Sequence, residues 1–149
     1  VDLKQFQFKL DPVLKYRRHQ EEKARLDLAE ARMTCQKIRF RIEDMCREKK
    51  QMHAQLKKDS QKGMNAGRYL ACQNFVSRLD RELTSKRADL EKQEEKIQEL
   101  QAQLKQQYIK KESLEGLKIN YAGIHKKQVE TELQKSSDEL VLLRKGGSI

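Results

Sequence analysis

The chain has no tryptophan, one proline, six glycines, four Tyr and four Phe. So few large apolar side chains cannot fill a globular core for 149 residues. Turn punctuation is too sparse for a sheet. The longest apolar run, Leu140-Val141-Leu142-Leu143, falls far short of the ~20 residues that cross a bilayer. The opening, Val1-Asp2-Leu3-Lys4-Gln5-Phe6-Gln7-Phe8, lacks the basic-then-apolar order of a signal peptide. Three cysteines, Cys35, Cys46 and Cys72, make an odd number without C-x-x-C spacing. That pattern suggests neither a disulfide framework nor a zinc site, and a reducing cytoplasm is the natural compartment.

Motifs that carry chemistry are also missing. His19, His53 and His125 lie far apart. No H-E-x-x-H, glycine-rich phosphate loop or G-x-S-x-G occurs. The expectation is therefore a protein that is not an enzyme, with no catalytic, metal or cofactor site.

What the chain has is charge and helix formers. Charged residues make up 38% of it, 33 basic against 23 acidic, and Ala, Glu, Lys, Leu and Arg supply about half the residues. Residues 1–62 carry 17 basic and 10 acidic side chains, the remainder 16 and 13. Interleaved signs usually mark a solvated helix surface, with an acidic partner as the functional alternative. Nucleic acid is disfavoured, because neither a long basic block nor a recognition motif is present.

Apolar residues recur with a period of seven. From Leu14 the steps are Leu28, Cys35, Ile42 and Leu56, interrupted by Glu21 and Lys49; the complementary positions include Ala24, Ala31, Ile38, Met45 and Met52. A second train runs Tyr69, Val76, Leu83, Leu90, Ile97, Leu104, with Cys72, Leu79, Leu100 and Leu114 between. A sustained 3.5-residue spacing is the coiled-coil pattern. Between the trains, Asp59 to Gly67 holds two glycines, Ser60 and Asn65, suited to ending one helix and capping the next. The fold expected is all-α: a long antiparallel two-helix coiled-coil hairpin over residues 1–149. Helix 1 covers about 12–58, the loop about 59–67, and a longer C-terminal helix about 67–145. Asp11 suits the N-cap and Pro12 the first helical position.

A loop centred near Gly63-Met64 predicts facing residues whose numbers add to about 128, such as Met45 with Leu83 and Leu14 with Leu114. Lys49 and Lys86 should reach outward to water. The charged layers at Arg17 and Glu21 should weaken the open end, leaving Leu28 to Ile42 best protected. About thirty C-terminal residues must overhang, fold back or bind something else. Gly116 and Gly123 there mark either a continuous helix with a phase shift or a softened joint, and the tail Gly146-Gly147-Ser148-Ile149 should fray. Phe75, one step off the seam, either packs over the hairpin's edge or contacts a partner. With Met45, Met52 and Met64 on nearby turns, the loop end is the best recognition surface by patterning alone.

The residues also resemble a known family. Phe8-Lys9-Leu10-Asp11-Pro12-Val13-Leu14-Lys15-Tyr16-Arg17, the Glu21-to-Ala31 stretch, Gly63-Met64 through Phe75-Val76 to Leu79, Glu112-Ser113-Leu114 and Asp138-Glu139-Leu140 are similar, in order and spacing, to the flagellar type III export protein FliJ family. That resemblance implies a γ-stalk-like component of the flagellar export ATPase complex, cytoplasmic and peripheral at the cytoplasmic face of the inner membrane at the flagellar base. The partners it implies are the hexameric export ATPase, the cytoplasmic domain of the export gate membrane protein, and export chaperones. Matching positions give Met45, Met52, Phe75 and Leu79 as the gate contact, although Glu48 and Lys86 fall where a less charged face is expected. The open end, Arg17, Arg18, Leu140, Leu143 and Arg144, is expected to meet the ATPase. A stalk of a virulence secretion injectisome and a generic scaffolding coiled coil are the alternatives.

Overall fold

The computed structural model describes residues 5–147. It is an all-α helical hairpin of two helices, α1 (Asp11–Gln61, 51 residues) and α2 (Ala66–Gly146, 81 residues). No strand occurs among the described residues. Residues Lys62 to Asn65 connect the helices.

The ends of the helices follow from local chemistry. Leu14 N–H donates to the Leu10 carbonyl at 2.9 Å, so the first helical turn closes on Leu10. Asp11 therefore lies inside the first turn rather than capping it. Its carboxylate instead accepts a 2.8 Å hydrogen bond from the Lys118 ammonium, which holds the carboxyl below its ordinary range. An acid in the first turn also complements the helix dipole. At the other end of α1, Gly63 takes φ +82°, a left-handed conformation that favours glycine. Asn65 then caps α2: its side-chain oxygen accepts from Gly67 N–H at 3.1 Å and its carbonyl from Tyr69 N–H at 3.1 Å.

Two compact units divide the chain, one of residues Lys23–Leu104 and one of the chain ends, through Glu22 and from Lys105. In the first, the seam is centred on Met45, Leu79 and Leu83, with Ile42, Cys46 and Phe75 packed around them. Charged side chains bridge its edges: Lys49 Nζ to Asp80 Oδ1 at 2.6 Å, Arg39 to Glu94 at 3.1 Å, and Arg41 to Glu82 at 3.8 Å. Lys49 thus reaches outward to the seam's exposed edge and meets a carboxylate there. Its number and that of Asp80 add to 129, one from the expected register. On α2 the buried side chains, Val76, Leu79 and Leu83, lie toward the loop. At the Ala31 layer the short methyl leaves a hollow beside Gln93 and Leu100, and Leu90, Ile97 and Leu100 are only half-buried.

In the second unit, Leu14 is fully buried and Glu21 is buried in the seam. The Glu21 carboxylate takes the Lys111 ammonium at 2.7 Å, while Arg18 pairs with Glu115 at 3.1 Å. The hydrogen bond to Glu21 raises the Lys111 pKa; burial opposes it, and the charges of Glu21, Glu115 and Glu112 add to it. The charged layer expected to weaken this end is thus closed by an ion pair. Residues before α1 lengthen the contact: Phe8 is buried with its ring 6.0 Å from Tyr121, and the Phe6 ring lies 5.7 Å from His125. The α2 helix runs unbroken through Gly116 and Gly123. It ends at Gly146, and Ser148 and Ile149 lie outside the described residues.

Breaking the seam pair with Glu21→Ala should lower stability by roughly 3 kcal/mol, the low end for a buried pair, because a two-helix seam leaves Lys111 a route to water. Glu21→Leu with Lys111→Leu should recover or exceed the original stability in urea melts. Lys111 is held above its ordinary 10.5, so its contribution should be complete at neutral pH and lost as pH rises through the folded value. A Cβ added at Gly116 or Gly123 meets nothing within 4 Å, so each Gly→Ala should raise thermal stability by ~1 kcal/mol.

Candidate functional site

The candidate site lies among side chains that the two packed helices leave at the surface. Among the described residues no group of three or more His, Cys, Asp or Glu could hold a metal, and no helix is long and apolar enough to cross a membrane. Cys35, Cys46 and Cys72 are free thiols, Cys35 buried in the seam.

Near the loop, the four residues expected to contact the gate separate into two layers. Met45 (0% exposed) and Leu79 (5%) are core. Heptad spacing selects both kinds of position, and here the opposing side chains close over these two. Met52 and Phe75 stay half-buried and line an open groove with Glu48, Gln51 and Gln55. Phe75 also packs against the Met45–Leu79–Leu83 cluster, so it touches the core and lines the groove. Glu48 places a carboxylate at the groove's edge, 3.7 Å from Arg41.

The residues expected to meet the ATPase do not form one patch. Arg17 is half-buried, its guanidinium 5.5 Å from the Tyr16 ring centroid, and Arg18 is tied to Glu115. Leu140 and Leu143 lie further along α2, 25 residues from Glu115 to Leu140, or ~37 Å at the helical rise. There the helix has lost its covering: Leu140 is 64% and Leu143 73% exposed. Leu143 shares a shallow apolar hollow with Leu142 and Gly146, and Arg144 is exposed beside it.

Spacing did not reveal the contribution of Phe6 and Phe8, which cover α2 as far as His125. The available signal was two aromatics at alternate positions just ahead of the Asp11-Pro12 helix start.

Two long helices packed along one seam, with half-buried aromatic and Met side chains near the loop and an uncovered apolar helix end, define the class as an all-α coiled-coil hairpin. The family model described as Flagellar FliJ protein matches residues 6–147, nearly the whole chain, and the chain belongs to that family. It is a flagellar export-related coiled-coil protein, of a family that is a non-enzymatic component of export. No curated protein sequence and no solved structure matches it.

The layering makes separate predictions for stability. Met45→Ala and Leu79→Ala should each cost about 2–5 kcal/mol in denaturant melts. Met52→Ala, at the groove, should cost about 1 kcal/mol.

Proposed function

We propose that this chain is the stalk-like coupling component of the flagellar export apparatus. In this reading the C-terminal end of α2 engages the hexameric export ATPase. The groove of Phe75 and Met52 takes the cytoplasmic domain of the export gate protein, with Met45 and Leu79 supporting it from beneath. Arg17, Arg18 and Arg144 contribute charge on the ATPase side. Export chaperones are further partners, and the chain works at the cytoplasmic face of the inner membrane at the flagellar base, held there by its partners.

The observation that carries this reading is the uncovered run from Leu140 to Leu143, four apolar residues each about half-exposed or more, in a chain of the FliJ family. An apolar helix end at this exposure favours a protein partner. The Phe75 groove supports the second contact, because interface energy concentrates in aromatic side chains already held in place by their neighbours.

Binding measurements with the purified gate domain and the purified ATPase test the division. Phe75→Ala should weaken gate binding by ~1–3 kcal/mol and leave helicity and ATPase binding intact. Leu140→Asp with Leu143→Asp should abolish ATPase binding and spare the gate. If both variants, still folded, lose both partners equally, the division is wrong.

A further inference from the structure

We propose that α1 carries a second coiled-coil seam on its outer face, built to receive an acidic amphipathic helix of a partner protein. Leu26, Met33 and Phe40 lie seven residues apart and are 64%, 63% and 55% exposed. Ala29 and Gln36, also exposed, fall between them. The order 26, 29, 33, 36, 40 repeats the three-and-four step of a coiled-coil core. It lies on the face of α1 turned away from Leu28, Ala31 and Cys35, which are buried. The stripe covers ~21 Å of helix at the helical rise, enough for two heptads of a facing helix.

The flanks of this second seam specify the occupant. In coiled coils the positions beside the core choose the partner by charge. Here they are Arg25, Arg32 and Arg39 on one side and Lys23, Glu30 and Lys37 on the other. Five of these six are cations. Arg39 already pairs with Glu94, whereas Lys23, Arg32 and Lys37 have no ion-pair partner among the described residues. A helix with Leu-like residues on its seam and Glu or Asp on both flanks is complementary in shape and charge. A second copy laying down the same face would set mostly cation against cation. A membrane surface fits poorly, because the apolar arc is narrow and Glu22, Glu30 and Glu43 border it, where a surface-lying helix needs a broad apolar face.

The inference concerns a surface separate from those of the proposed function. Two synthetic 21-residue helical peptides serve as probes. Both carry Leu on a heptad seam, one with Glu flanks and one with Lys flanks, and their binding to the full chain is read by fluorescence anisotropy. The Glu-flanked peptide should bind at least tenfold tighter. Met33→Gln with Phe40→Gln should weaken it tenfold or more, with circular dichroism unchanged because both positions are exposed. Arg25→Glu with Arg32→Glu should invert the preference toward the Lys-flanked peptide. Equal affinity for the two peptides, or indifference to both variants, would falsify the seam. Two other results would also overturn the proposal. One is tighter, Met33- and Phe40-dependent binding to phosphatidylserine vesicles. The other is a dimer seen in sedimentation that dissolves in the Met33→Gln, Phe40→Gln variant. Neither variant touches Phe75, Leu140 or Leu143, so gate and ATPase binding report independently.

Discussion

Two helices facing each other can dry only one stripe on each, and this constraint governs the whole molecule. Most apolar side chains off the stripe stay wet, as do most charges, so the chain needs few large hydrophobics and many ions. The buried set is accordingly short and regularly spaced: Leu14, Ala24, Leu28, Ala31, Cys35, Met45 and Leu56 on α1, and Val76, Leu79 and Leu83 on α2. Where α1 offers only Ala, α2 is less completely covered, and the buried cluster forms where Met45 meets Leu79 and Leu83. A thin core also leaves open grooves and exposed helix faces as the surfaces these helices present.

Within such a seam a polar layer acts mainly on specificity. Sliding one helix by a heptad would still set apolar residues against apolar ones in many layers, because the repeat is the same. It would not keep Glu21 on Lys111: one slip sets Glu21 against Leu104 and the other sets Lys111 against Leu28, and a buried charge facing an apolar layer is costly. The ion pair therefore penalises the slipped registers that the apolar repeat tolerates. Asp11 with Lys118 and Arg39 with Glu94 reinforce the choice from the rim, where each is worth little alone.

Much of this was legible in the residues. The period of seven fixed which stripe faces inward, and all the α1 positions it selected from Leu14 to Leu56 are buried or half-buried. Gly63 and Asn65 announced the reversal. What spacing could not supply was depth. Met45 and Met52 are equivalent on a heptad wheel, yet Leu79 and Leu83 pack over Met45 while Met52 borders an open groove; the size of the opposing side chain decides, and that requires both helices at once. Pairing across the seam was similarly hidden. Lys49 reads as an outward-reaching lysine, and Asp80, 31 residues on, comes within 2.6 Å of it only across the seam. Phe6 and Phe8 precede any periodic segment, so no repeat could place them. The outer stripe through Leu26, Met33 and Phe40 shows the same step of seven and stands out only once the inner seam is known to face the other way.

The thiol of Cys35 gives this chain a built-in gauge. It is free and almost fully buried where the two helices meet, whereas Cys46 and Cys72 are each partly open to solvent. A thiol-directed reagent can reach Cys35 only when the helices part locally, so its rate of alkylation counts excursions of the seam rather than encounters with the surface. The two outer cysteines supply the reference rate within the same molecule. Any partner that clamps the helices together, or pries them open, would thus register as a change in the chemistry of one sulfur atom that it need never touch.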